Sequence, residues 1–122
     1  VTLELIAAVG RSGQLGLDGR LPWNDPTDLR WFRHTTMGSA VLVGHKTYQT
    51  LPPLPGRHVI VDDTSRAPED VLAQIERGHF TVFLAGGAKT YARYLHLVKR
   101  THVALIDYDG PADVFMPPLW RT

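Results

Sequence analysis

The stretch LPWNDPTDLRWF, residues 21–32, places a carboxylate where a charge is costly. Asn24 and Asp25 ahead of Pro26 mark a helix start, because a short polar side chain caps a first turn that Pro tolerates. Asp28 falls inside that turn, and its helical neighbours three and four residues onward are Trp31 and Phe32. Two readings compete. Serving the helix start would favour the charge by roughly 0.3 to 1 kcal/mol. A cleft carboxylate would instead accept N–H donors from a flat heterocycle packed on Phe32 and Leu29.

Upstream, Leu3 to Val9 (LELIAAV) is apolar and short, which predicts a strand buried on both faces. Gly10 to Arg20 (GRSGQLGLDGR) carries Gly10, Gly13, Gly16 and Gly19 and reads as a loop, either a mobile flap or an ordinary surface connection. Downstream, the helix from Pro26 runs to about Met37 and stops at Gly38. Ala40 to Gly44 (AVLVG) is a second buried strand, followed by a short helix opening at His45 with Lys46 and Thr47 in its first turn. Such a junction offers N–H groups to an anion. Pro52, Pro53, Pro55 and Gly56 make a rigid turn from which Arg57 emerges, suited to holding a carboxylate by two parallel bonds or else a solvated edge residue.

His58 to Val61 is the third strand, closed by a polar loop of Asp62, Asp63, Thr64, Ser65 and Arg66. A scaffold helix runs from Pro68 to Gly78 with Val71, Leu72 and Ile75 as its buried stripe. His79 to Ala85 is the fourth strand and leads through Gly86, Gly87, Ala88, Lys89 and Thr90 into helical spacing at Tyr91, Tyr94, Leu95 and Val98. This junction lacks the GxGxxG fingerprint, yet two glycine-bearing helix starts could hold the two ends of a diphosphate-containing cofactor. Thr101 to Asp107 is the fifth strand, and residues 108–122 show no clear period. Alternating strands and helices imply a mainly parallel sheet, helices on both faces, and ligands beyond the carboxyl ends of the strands.

The 122 residues have room for one domain, 1–122, and a net charge of +1 gives no argument for nucleic acid or membrane as partner. No cysteine is present, so no disulfide, thiolate nucleophile or cysteine zinc site can be proposed, which fits a reducing compartment. Apolar runs are too short to span a bilayer and the N-terminus lacks a signal peptide, so a cytoplasmic location is expected. His34, His45, His58, His79, His96 and His102 show no ligand spacing; solvated or capping roles are expected, with no metal site.

IAAVGRSGQLGLDGRLPWNDPTDLRWFRHTTMG, VLVGHKTYQTLPPLPGR and AGGAKTY together resemble dihydrofolate reductase in order and spacing, over Leu3 to about Pro117. The resemblance implies a three-layer αβα fold with a mainly parallel central sheet, C-terminally shortened. It implies reduction of 7,8-dihydrofolate by NADPH, with antifolates as inhibitors. By position, Asp28 would bond the 2-amino and N3 side of the pterin, Trp23 would stand beside the water path to N5, and Leu21 would shield the nicotinamide. Ile6, Ala8, Leu29, Phe32, Thr50, Leu51, Leu54, Ala85 and Ala104 would line the pterin, and Arg57 would clamp the glutamate α-carboxylate. Ala8, Leu15, Gly16, Gly44, His45, Lys46, Thr47, Asp63, Thr64, Arg66 and Gly86 to Tyr91 (Gly86, Gly87, Ala88, Lys89, Thr90, Tyr91) would hold the cofactor.

Three departures bear on those expectations. Ala104 stands where the family has a threonine bonded to the catalytic carboxylate, which removes a donor. Asp63 and Thr64 stand where contacts to a 2′-phosphate are usual, so NADH is left open beside NADPH; Arg66, Thr64 or Ser65 could compensate. The chain stops where the family continues into antiparallel strands, which predicts a homo-oligomer or bound neighbour along the Thr101 to Asp107 edge. Competing readings are a folate-binding or structural derivative of the enzyme, and a pyrimidine reductase of riboflavin synthesis.

Overall fold

In the computed structural model, which describes residues 2–18, 21–75 and 81–117, the apolar runs become five parallel strands. The chain order is β1 (Thr2–Val9), β2 (Gln14–Gly16), α1 (Pro26–Thr36), β3 (Ala40–Gly44), α2 (His45–Thr50), β4 (His58–Asp62), α3 (Pro68–Ile75), β5 (Thr81–Leu84), α4 (Ala88–Tyr94), a 3-10 turn (Leu95–Leu97), β6 (Val98–Leu105) and β7 (Val114–Phe115). The main sheet is ordered β4, β3, β5, β1, β6. Connections through α1 and α2 step one way across it, and those through α3 and α4 step back. Right-handed crossovers therefore set the two pairs of helices on opposite faces.

Burial follows that division. Leu3, Leu5, Ala7 and Val9 of β1 join Leu42, Leu84, Val71, Ile75, Tyr91 and Tyr94 in one core, the layer under α3 and α4. Leu42 is fully buried, a placement that contributes about 2 kcal/mol for such a side chain. Alternate residues Ile6, Val41, Val43 and Phe83 are buried toward the other layer. Because the chain reverses direction between β4 and β5, neighbouring β3 and β5 send their exits to opposite faces. That leaves a crevice beyond their carboxyl ends.

Several expectations are corrected. The glycine-rich segment is not all loop: β2 lies within it, paired antiparallel with β7 in the tail that showed no period. The helical pattern ends at Tyr94, and Val98 begins β6 because it is drawn into register with Leu3. Asp62 belongs to β4 rather than to the polar loop, and it is 3% exposed. His102 is neither solvated nor a cap; its ring meets buried Glu4 at 2.6 Å, which supplies that carboxylate with a partner. His79 and the Gly78 helix end lie outside the described residues. Among the described residues, no helix is long and apolar enough to cross a membrane.

Candidate active site

Asp25 caps α1, its Oδ1 accepting from the N–H groups of Thr27 at 3.0 Å and Asp28 at 3.4 Å. With Asp25 doing the capping, the side chain of Asp28 is released from that task. It is 8% exposed, and the indole Nε1 of Trp23 donates to its Oδ2 over a long 3.5 Å. Burial pushes the Asp28 carboxyl above its ordinary range, the Trp23 bond opposes this, and the charge of Asp25 adds to the rise. Trp23 is held in turn by Tyr108, whose ring lies 5.7 Å away at 55°. A buried acid with one weak donor suits a ligand that brings N–H groups.

The two glycine junctions meet in the crevice. Gly44 N–H donates to the Gly86 carbonyl at 2.9 Å, and Gly86 has a φ of +119° that side chains rarely adopt. A Cβ on Gly44 would collide with the Thr90 hydroxyl, and one on Gly87 would crowd Thr47 Oγ1 at 3.1 Å. Glycine is thus required where the two junctions pack against Thr90 and Thr47, and His45, Lys46 and Lys89 are exposed on the helix starts that follow. These residues fit a diphosphate-bearing cofactor by donor chemistry and charge.

Arg57 lies at the far end of α1. Its Nε donates to Pro55 O at 3.1 Å and its Nη1 to the buried Thr36 hydroxyl at 3.4 Å. The turn that carries it is locked to the helix end, since Gly38 N–H donates to Gly56 O at 2.9 Å. Partial burial lowers the Arg57 guanidinium from its usual value, and nearby Arg33 lowers it further. Two cations at one helix end suit an anionic tail.

The family model described as dihydrofolate reductase matches residues 2–122. The chain belongs to the dihydrofolate reductase family. Membership makes it an oxidoreductase of the folate-reducing type. It is 31% identical to dihydrofolate reductase of Neisseria meningitidis serogroup A, over 98% of this chain and 82% of that protein. It is 32% identical to dihydromethanopterin reductase of Methylorubrum extorquens, over 98% of this chain and 93% of that protein. A solved dihydrofolate reductase from Enterococcus faecalis, complexed with NADP(H) and RAB-propyl, shares the fold with a TM-score of 0.84 at 24% identity, over 95% of this chain and 77% of that one.

Within this dihydrofolate reductase fold, Ile6 is buried, while Ala8, Ala85 and Ala104 are half-buried on or just past β1, β5 and β6. Ala104 pairs in register with Ala8 and offers Asp28 no donor. Phe32, Leu51 and Leu54 are half-buried, whereas Leu29 at 56% and Leu21 at 48% stand exposed. Thr50 is exposed and turns its hydroxyl to the Thr47 carbonyl at 3.2 Å. Tyr91 is buried, its hydroxyl donating to Ile6 O at 2.7 Å; burial pushes that phenol upward. Leu15 and Gly16 sit in β2, Gly16 O accepting from Asp113 N–H at 2.9 Å.

Sequence reasoning missed the residues that hold the glycine-rich segment. Ser12 Oγ donates to Asp109 at 2.7 Å, Gln14 Nε2 donates to the same carboxylate at 3.2 Å, and Asp18 N–H donates to Asp113 at 3.0 Å. No local pattern could reveal them, since the partners lie more than ninety positions apart. Arg33 was accessible, because it sits next to Phe32 on α1 and one turn before Thr36.

Proposed function

We propose that the protein reduces 7,8-dihydrofolate to 5,6,7,8-tetrahydrofolate. The observation that carries this reading is Asp28, 8% exposed with a single long indole bond among the described residues, in a parallel-sheet fold whose Gly44 and Gly86 junctions meet at the strand ends. A reduced nicotinamide dinucleotide supplies the hydride, NADPH by resemblance, with the ribose end of the site deciding between that and NADH. Asp28 binds the pterin through its 2-amino and N3 side, and its negative charge polarises the ring toward reduction. Trp23 keeps the carboxylate turned inward. Water, admitted beside Trp23, brings the proton to N5. Phe32 and Leu51 supply apolar walls that keep the remaining solvent away. Leu21 shields the nicotinamide side, and Arg57, aided by Arg33, holds the glutamate tail.

A second reading, reduction of dihydromethanopterin, is favoured by the coverage of the Methylorubrum relative, 93% against 82% for the Neisseria enzyme. Oxidation of reduced dinucleotide is followed with dihydrofolate and with dihydromethanopterin, for the native chain and for Asp28→Asn. Turnover with dihydrofolate that falls about a hundredfold or more in the variant supports the proposal. Turnover with dihydromethanopterin alone moves the assignment to that substrate. Pterin binding without turnover in either case points to a non-catalytic derivative. The absence of cysteine accords with a cytoplasmic site of action. Self-association through β6 is proposed as well, because this strand borders the described sheet with Leu105 73% exposed. A concentration-independent monomer in sedimentation would exclude it.

A further inference from the structure

The crossover β3, α2, β4 is a parallel unit in which Gly44, at the carboxyl end of β3, lies in register with Asp62, at the carboxyl end of β4. In parallel nucleotide-binding units the diphosphate sits over the exit of the first strand. An acid about twenty residues on, at the end of the next strand, takes the adenosine ribose hydroxyls. A 2′-phosphate at that place needs a free cation instead. Asp62 and Asp63 occupy the corresponding distance after Gly44 here, Asp62 pairing across the sheet with Gly44 itself.

Only one of these two acids is free to meet a ligand. Asp62 is buried, its Oδ1 accepting from Thr64 N–H at 3.0 Å and its Oδ2 from Arg93 Nε at 2.9 Å. Asp63 stands at the surface, where its Oδ1 accepts from Ser65 N–H at 2.9 Å. A carboxylate has about four acceptor positions, so capacity remains for a diol. The Ser65 hydroxyl and N–H, with a lesser contribution from Arg66, hold the Asp63 carboxyl below its usual range. It therefore carries its charge throughout the neutral region.

The nearby arginines are already committed. Arg93 is bonded to Asp62 and to the carbonyl of Arg66, and the Arg66 guanidinium is bonded to Gln74 Oε1 on α3. His45 and Lys46, at the β3 exit, are placed to meet the diphosphate. Resting on the cofactor reading above, we infer that Asp63 makes this reductase select NADH over NADPH, accepting the adenosine ribose hydroxyls and repelling a 2′-phosphate. This reverses the preference that the resemblance implies. The compensation expected of Arg66 is weakened, because one of its guanidinium nitrogens is turned to Gln74 and the carboxylate of Asp63 draws on its charge.

The test measures dissociation constants of NADH and NADPH by quenching of tryptophan fluorescence, without any pterin present. The native chain is expected to bind NADH about tenfold or more tightly than NADPH. Asp63→Asn keeps the turn's acceptor and removes the charge, so it should recover NADPH binding; Asp63→Ser should also lose affinity for NADH and invert the ratio. A native preference for NADPH, abolished in Arg66→Ala, would overturn the inference alone. A ratio unchanged in both Asp63 variants would do the same. Binding of neither dinucleotide would overturn it together with the cofactor reading. NADH binding without reduction of either dihydropterin would sustain it and remove only the assigned substrate.

Discussion

Two buried aspartates, Asp28 in the first turn of α1 and Asp62 at the end of β4, are treated in opposite ways. Asp62 is 3% exposed and receives a guanidinium and a backbone N–H at ordinary distances, 2.9 and 3.0 Å. Asp28 is 8% exposed and receives one indole N–H at 3.5 Å. Burial alone therefore does not separate a functional acid from a structural one. What separates them among the described residues is donor supply: Asp62 takes a guanidinium and a backbone N–H at ordinary distances, whereas Asp28 takes a single long indole bond, and the proposed function gives its remaining acceptor capacity to a ligand.

The comparison is tested most severely by removing the charge of Asp28. Asp28→Asn should lower kcat about a hundredfold or more while raising thermal stability at neutral pH. The sign follows from the upward shift: the folded protein holds this proton to higher pH than the unfolded chain does. Stability is thus lost as pH rises from the unfolded value of about 3.8 through the raised folded value. The advantage of the variant should vanish below that window, which melting curves at acidic and neutral pH would show. An Asp28→Asn protein that melts earlier at neutral pH would break the contrast.

Arg93→Ala should act in the reverse sense, lowering stability by about 2 kcal/mol in denaturant unfolding because Asp62 is left buried without its cation, with only the Thr64 N–H remaining. The figure lies below the full value for a buried pair, since the Arg93 side chain is 27% exposed. The smallest effect is expected from Trp23→Phe, which removes the weak donor of Asp28. The acid limb of the pH–rate profile should then move to higher pH, with turnover down severalfold. A shift to lower pH would show that the indole does not stabilise the charged form.

Much of the site was readable because its parts are local. Asp25, Pro26 and Asp28 fall within one helical turn, and Gly38 and Gly86 mark element ends through backbone preference. The same locality explains what was misread. Val98 has helical spacing after Tyr94 and Leu95, yet pairing with Leu3 makes it a strand residue. Gln14 to Gly16 looked like loop because glycine weakens any strand pattern, and its partner β7 lies in a tail with no period. His102 gave no sign of Glu4, a partner almost the whole chain away.

The amino-acid sequence by itself determined the succession of the five main strands and the helices between them, the cap that frees Asp28, and the glycines that mark the strand-to-helix junctions. Each of these depends on neighbours within a turn or two, where dihedral preference and apolar period are decisive. Only the tertiary structure decided that the Gly44 and Gly86 junctions touch, that Arg57 rests on Thr36, and that Arg93 and Arg66 are already engaged beside Asp63. Those outcomes depend on which distant groups reach a buried or crowded partner first, and chain order alone carries no record of that.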